Sequence, residues 1–354
     1  MGHAHLEPVD HPAAWKASDF HNLADITVAF DQRHIDAFED AYRAIEEAGL
    51  ALDDVEREHF QVPAISGDLA DIYREIVSGR GLVLIDRLPV EDWPLAKTEI
   101  VYWGIGTHFG TAVSQSVIGD RLGHVVNIGG KDAKERAYRN SRELALHTDG
   151  CGILGMLSIR PADEGGLSQY ASALAVHNEI LKTRPDYLEP LYRGFRYHRF
   201  GEQGPGEAPV TDHEVPVLCY RDGHVSTRYI AGYIYMAYEE LGEELSDLDR
   251  EALAYFDEIA RRDDMKLEFM MPPGQMCFAN NYTVLHARTA FEDRPGPETG
   301  RLLLRLWLTA HDRRPIDPRI EIYRSRGIAR QADRVDTRFS GAAVDVLNSD
   351  MRRY

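Results

Sequence analysis

The chain is poor in cysteine, in net positive charge and in long apolar runs, and each shortage removes a class of protein. Cys151, Cys219 and Cys277 are the only three cysteines among 354 residues. They are odd in number and too widely spaced for a disulfide framework or a CxxC zinc site, so they read as reduced, small, partly buried side chains. Acidic residues outnumber basic ones by 58 to 40, for a formal net charge of −18. Repulsion from phosphate backbones and anionic lipid therefore argues against nucleic acid or a membrane surface as a partner. No stretch approaches the ~18 uninterrupted apolar residues of a membrane span. The opening Met1-Gly2-His3-Ala4-His5-Leu6-Glu7 lacks the basic start and apolar run of a secretory signal, so the expected location is the cytoplasm.

What is present is ordinary globular material, 44% apolar and 28% charged, with no internal repeat and no linker. One domain over residues 1–354 is expected, with a core at about 66–310, an N-terminal helical extension at 1–65 and a polar tail at 311–354. Ile35, Phe38, Tyr42 and Ile45 fall at helical spacing before Gly49, and a second helix is expected from Asp68 to Val77. It leads into Leu82-Val83-Leu84-Ile85, a buried strand. A helix from Leu95 to Phe109 follows, where Tyr102, Trp103 and His108 read as core, and strands are expected near Asn127-Ile128. Further strands are expected at Ile153 to Ile159, Leu167 to Ala171, Lys266 to Met270, Met276 to Phe278 and Leu302 to Leu308. Asp222-Gly223 marks a hairpin, and Ser246 caps a helix with Leu248, Leu253, Phe256 and Ile259 as its buried stripe. Residues 129–142 are polar and charged and run directly into the strand at His147, which makes them either a lid over the site or a merely solvated excursion. Many strands with helices before, between and after them indicate an α+β protein, a jelly roll decorated by helices.

The chemistry gathers around Leu144-Ala145-Leu146-His147-Thr148-Asp149-Gly150. On a strand, His147 and Asp149 project to one side while Thr148 points away, so the pair could grip one metal ion. A third ligand is available in the segment Asn280-Asn281-Tyr282-Thr283-Val284-Leu285-His286. Two histidines and a carboxylate on one face of a metal, with the opposite face open, is the arrangement of non-haem Fe(II) oxygenases. Arg301 and Arg305 lie four apart on an otherwise apolar strand, which puts both guanidiniums on one face. Arginines are rarely buried without a partner, so the two either meet an anionic ligand or sit at a wet rim paired with Glu292 or Asp293. The remaining histidines, His124, His177, His198, His213 and His224 among them, carry no ligand spacing.

Taken together, His147-Thr148-Asp149, His286-Ala287-Arg288-Thr289-Ala290-Phe291-Glu292-Asp293 and the Arg301/Arg305 pair resemble the taurine dioxygenase and clavaminate synthase group of Fe(II)/2-oxoglutarate oxygenases. The resemblance spans about residues 66–310 and implies a double-stranded β-helix, a jelly roll. It implies that His147, Asp149 and His286 ligate Fe(II), and that Arg301, assisted by Ser168, binds the distal carboxylate of 2-oxoglutarate. Arg305 would meet either the cosubstrate or an acidic group of the substrate. The reaction so implied consumes O2 and 2-oxoglutarate, releases succinate and CO2, and oxidises an unactivated C–H of a small carboxylate-bearing metabolite, with an amino acid or a derivative as the preferred class. The presence of Asp149 favours hydroxylation, desaturation or cyclisation over halogenation. Arg288 shares the parity of His286 and either anchors the site or forms a surface ion pair. Glu143, four residues before His147, is a further substrate contact to test. A zinc hydrolase using the same three ligands, or a jelly-roll binding protein, remain the alternatives. Nothing in the sequence separates a monomer from a homo-oligomer.

Overall fold

The computed structural model describes residues 4–128, 136–293, 299–323 and 326–339. Strand alternation builds two sheets that face each other. The larger has seven strands, in the spatial order Thr27–Ala29, Leu82–Asp86, Met276–Asn280, Ile153–Arg160, Leu302–Ala310 and Gly110–Ala112, with Leu122–Val126 also paired to Leu302–Ala310. The smaller has four, in the order Lys266–Phe269, Ser168–Ser172, Val284–Arg288 and Leu144–His147. Only the Thr27–Ala29 and Leu82–Asp86 pair is parallel; the other pairs in both sheets are antiparallel.

Period two decides what each sheet face meets. Leu82, Leu84, Cys277, Ala279 and Leu303 turn inward and pack with Tyr170, Phe269 and Val284 of the smaller sheet. Their neighbours Val83, Ile85, Phe278, Leu304 and Leu306 turn outward onto the helices Gln32–Ala48, Ser66–Val77 and Leu95–Thr107. On the smaller sheet Leu146, Ala171 and Leu285 turn outward onto Ala173–Thr183, Ala231–Leu241 and Asp247–Arg261. The result is a jelly-roll sandwich clad by helices on both sides, and the inward face between the sheets is where polar side chains would have to find a purpose.

Local signals explain most element ends. Asp31 accepts a hydrogen bond from the His34 N–H to start Gln32–Ala48, and Gly49, at φ 65°, closes it. Ser246 caps Asp247–Arg261 through the Asp249 N–H. Asp222 and Gly223 both take positive φ, 48° and 86°, the turn that the Leu218–Arg221/His224–Thr227 hairpin requires.

Two expectations need correction, and one helix stands outside them. Leu248 is 41% exposed, because the buried stripe of its helix runs through Ala252, Leu253, Phe256, Ile259 and Ala260 and leaves the first turn outside. Asn127 and Ile128 lie beyond the strand Leu122–Val126, and Ile128 is exposed. The helix Ala231–Leu241 has no expectation behind it, since its early turns are apolar nearly all round and carry no stripe to read.

Both chain extensions are tied to the core. The Val9 N–H donates to Asn178 Oδ1 at 2.7 Å and Trp15 Nε1 donates to the Arg80 carbonyl at 2.9 Å. In the tail, Ile320 and Ile328 are buried and the Ile328 N–H donates to the Ser114 carbonyl. Residues 340–354 of the expected tail, and 129–135 of the polar segment 129–142, lie outside the described residues.

Candidate active site

Antiparallel register places His147 opposite His286 and His286 opposite Tyr170, so both imidazoles stand on the inward face, with ring centroids 4.1 Å apart. The strand stops at His147, and Thr148 is turned away. Its N–H donates to the Tyr229 carbonyl and its hydroxyl accepts from the Tyr229 N–H. That anchor returns the chain so that Asp149 faces inward again, where Asn281 holds it: the Asp149 N–H donates to Asn281 Oδ1 at 3.1 Å, and Asn281 Nδ2 donates to the Cys151 carbonyl at 2.9 Å.

The three side chains converge. His147 Nε2 is 3.6 Å from Asp149 Oδ1 and His286 Nε2 is 3.5 Å from Asp149 Oδ2. One ligand atom from each lies within 4.8 Å of the others, the only such group of three among the described residues. His147 Nδ1 sits 2.9 Å from the Ala145 carbonyl, which can only accept, so that nitrogen carries the proton and Nε2 is left as a lone-pair donor. Burial, with the neighbouring His147, lowers His286 to about 4, so its imidazole is neutral. Burial alone would raise the Asp149 carboxyl, but the charge of Arg305 and the two imidazoles beside it hold it well below the usual carboxylate range. Two imidazoles and one carboxylate, aimed at a common point, fit a divalent first-row metal. Asp149 Oδ2 also accepts from Trp307 Nε1 at 2.8 Å and lies 3.5 Å from Arg305 Nη1, which leaves Oδ1 as the freer oxygen.

The last strand supplies both flanks of this cluster. Arg301, Leu303, Arg305 and Trp307 take alternate positions on its inward side, with Arg301 and Arg305 roughly 13 Å apart along the strand. Arg305 and Trp307 line a cavity beside His147 and Asp149. Arg305 Nε donates to Gln115 Oε1 at 2.7 Å, its guanidinium lies 4.4 Å from the Tyr138 ring centroid, and its buried Nη2 has no hydrogen-bond partner. Across the cavity, Arg136 Nη1 is 2.6 Å from Glu202 Oε1 and 2.7 Å from the Tyr233 hydroxyl. Arg136, Tyr138 and Asn140 all line the cavity, so the described end of the segment 129–142 borders it.

Arg301 serves a second, separate corner. Its Nε is 3.3 Å from where a Cβ on Gly166 would sit, and Gly166 takes φ 69°, so a larger residue there would be strained as well as crowded. Ser168 pairs in register with Arg288, which points inward with His286. Arg288 and Arg301 are both buried against the Phe291 ring, at 4.6 and 5.1 Å, and Arg288 Nε and Arg301 Nη1 have no hydrogen-bond partner. Burial lowers Arg301 to about 10, and burial with the charge of Arg301 lowers Arg288 to about 9. Two guanidiniums with unmet donors in one dry corner call for an anion. The Asp293 carboxylate, a candidate rim partner, accepts from the Arg301 backbone N–H at 2.8 Å.

Seven of the eight residues singled out in the sequence thus fall in the metal cluster or in one of the two arginine corners. Glu143 is not. Its side chain is 60% exposed and lies 3.4 Å from Arg261 on the outside of the molecule. Leu144 opposes Arg288 while His147 opposes His286, three residues against two, and this bulge reverses the parity that would have carried Glu143 inward. Trp307, Asn281, Gln115 and Glu202 are site residues that the sequence reading lacks. Trp307 alone had a signal, its two-residue spacing from Arg305.

A family model described as taurine catabolism dioxygenase TauD, TfdA family, matches residues 46–307. FR-33289 synthase of Streptomyces rubellomurinus is 27% identical over 324 residues, covering 90% of this chain and 95% of that protein. Among solved structures, an asparagine oxygenase in complex with Fe(II), hydroxyasparagine and succinate superposes with a TM-score of 0.64 at 18% identity, covering 80% of this chain and 93% of that one. The non-haem iron oxygenase OrfP, in complex with Fe and alpha-ketoglutaric acid, gives a TM-score of 0.57 at 13% identity, covering 80% of this chain and 94% of that one. These two share the jelly-roll fold. The match over most of the chain, on a fold that gathers two imidazoles, a carboxylate and paired arginines between its sheets, makes this protein a member of the TauD/TfdA family of dioxygenases.

Proposed function

We propose that the chain is an Fe(II)- and 2-oxoglutarate-dependent oxygenase that hydroxylates an unactivated C–H of a small carboxylate-bearing metabolite, an amino acid or a derivative of one, with release of succinate and CO2. The observation that carries this reading is the His147, Asp149 and His286 cluster set between two arginine corners, each with an unpartnered buried N–H. His147 Nε2, Asp149 Oδ1 and His286 Nε2 would hold the metal, whose chemistry is to couple O2 reduction and 2-oxoglutarate decarboxylation to C–H oxidation. Arg301, assisted by Ser168 and with Arg288 adding positive charge, takes the distal carboxylate of 2-oxoglutarate. Arg305 lines the other cavity and takes the anionic group of the substrate. Tyr138 and the segment around it exclude water from that cavity. The choice of an amino acid is supported by the hydroxyasparagine bound in the asparagine oxygenase of the same fold.

The same reading treats the chain as one domain acting in the cytoplasm, which three buried, unpaired cysteines support. No helix among the described residues is long and apolar enough to cross a membrane.

Anaerobic addition of Fe(II) and then 2-oxoglutarate should produce a weak visible charge-transfer band, and Asp149→Ala should remove it. Absence of the band in the unmodified protein, together with zinc-dependent hydrolysis, would replace the oxygenase reading with the hydrolase one.

A further inference from the structure

The cavity beside the metal cluster contains a carboxylate that none of the roles above uses. Glu202 is 5% exposed and lines the same cavity as Arg305. A strained turn delivers it: Phe200 takes φ 51° and Gly201 φ 76°. A bulky aromatic residue in the left-handed region is an outlier, and such strain collects where a fold must aim a side chain at a ligand. The turn is pinned from outside, since Gln331 Nε2 donates to the carbonyls of Gly201 and Gln203 at 2.9 and 3.1 Å. Inside, the Phe200 ring stacks on Tyr233, with centroids 5.6 Å apart.

Among the described residues each carboxylate oxygen has one side-chain partner. Arg136 Nη1 is 2.6 Å from Oε1 and the Tyr323 hydroxyl donates to Oε2 at 2.8 Å. A carboxylate offers roughly four acceptor sites, so about two remain for a ligand. The rings of Phe200, Tyr233 and Tyr323 line the cavity around it, and aromatic faces beside a carboxylate favour a cation over a neutral group. At the other end Arg305 keeps an unpartnered donor, with Leu146, Ile230 and Trp307 as apolar wall between. The cavity is therefore polar at two ends with opposite signs.

Building on the oxygenase reading above, we propose that Glu202 is a specificity residue: it accepts hydrogen bonds from a cationic side-chain nitrogen of an amino-acid substrate, an ammonium or guanidinium distinct from the α-amino group, while Arg305 holds the substrate's carboxylate. The substrate is a zwitterion laid across the cavity, and the oxidised C–H lies between its charges. Arg136 and Tyr323 position the carboxylate and leave its remaining lone pairs facing the ligand.

The test uses the full-length protein loaded anaerobically with Fe(II) and 2-oxoglutarate, and follows the shift of the charge-transfer band on titration with amino acids. L-Lysine, L-ornithine and L-arginine are compared with their neutral counterparts L-norleucine, L-norvaline and L-citrulline. At least one cationic member should bind roughly ten- to a hundredfold more tightly than its counterpart. Glu202→Gln should erase that preference without changing the affinity for 2-oxoglutarate, and Glu202→Asp, which keeps the charge, should retain it. Equal binding of the two sets by the unmodified protein, binding of neither, or a Glu202→Gln variant that weakens both sets alike would overturn the proposal; the last result would make Glu202 a latch for residues 136–140. Should Glu202→Gln fail to fold, the unmodified protein and Glu202→Asp still decide. Failure of the band to form before any amino acid is added would instead remove the oxygenase reading on which this one rests.

Discussion

Replacing Arg301 by methionine removes a buried cation while keeping an unbranched side chain of similar reach. Burial lowers this guanidinium to about 10, well below its ordinary value, so the charged form is disfavoured in the folded protein. The corresponding cost is about 3 kcal/mol at neutral pH, where folded and unfolded chains are both protonated. It shrinks as pH rises through 10 and vanishes once the unfolded chain loses the proton too. Methionine forfeits the cation–π contact with Phe291, worth about 1 kcal/mol, and keeps much of the packing. The metal-free variant should therefore gain about 1–2 kcal/mol in a urea unfolding curve, with an unchanged slope. Its affinity for 2-oxoglutarate should move the other way. Truncating one partner of a buried charged pair costs about 2–5 kcal/mol, a loss of roughly thirtyfold to several thousandfold in Kd. Calorimetric titration of the metal-loaded protein reads that loss. Opposite signs in the two assays are diagnostic, because a general packing defect lowers stability and binding together. A variant that unfolds more easily and still binds 2-oxoglutarate like the unmodified protein would refute the assignment of this corner to the cosubstrate.

Two further outcomes follow from neighbouring contacts. Trp307→Phe deletes the N–H that fixes Asp149 Oδ2 and should weaken Fe(II) or Co(II) binding about 10–100-fold, read by metal titration, while the unfolding midpoint of the metal-free protein changes little. His177 is buried between the Glu7 carbonyl and the Tyr192 hydroxyl, and burial lowers it to about 4 from 6.5. Its contribution is complete above 6.5 and is lost as pH falls through 4, because the unfolded chain takes up the proton first. The unmodified protein should lose up to about 3 kcal/mol over that interval that His177→Asn does not, and parallel pH–stability curves for the two would contradict this.

The metal cluster was legible because its information is local. His147 and Asp149 sit two apart, His286 lies within the strand Val284–Arg288, and Arg301 and Arg305 stand out on an apolar run; each needs only side-chain parity to be placed. Glu143 was misplaced for a reason no single strand reveals. The bulge between Leu144 and His147 exists only in the pairing with Val284–Arg288, so parity counted along one strand failed. Trp307 obeys the same alternation as Arg305, but an aromatic residue near a strand end is indistinguishable from core until its N–H is seen to meet Asp149. Glu202 left no trace at all. Its position depends on a left-handed Phe200 and on Arg136 and Tyr323, residues remote in sequence, and helical or strand periodicity carries nothing about such a turn. The helix Ala231–Leu241 escaped because a side chain buried from several directions has no polar side to mark the period.

One stretch of chain carries Arg301, Leu303, Arg305 and Trp307 at successive inward positions, so the proposed cosubstrate anchor, the sheet core, the proposed substrate contact and the hydrogen bond to Asp149 are locked in phase. Substitutions at Arg301, Arg305 or Trp307 can be made one at a time, but a single-residue insertion or deletion among residues 302–306 would turn the following side chains over. Trp307 would leave Asp149 for the helices, and Leu306 or Leu308 would take its place. Adaptation to a new substrate is therefore channelled away from this strand and into the turn at Phe200 and the segment 136–140, whose lengths are not tied to the sheet.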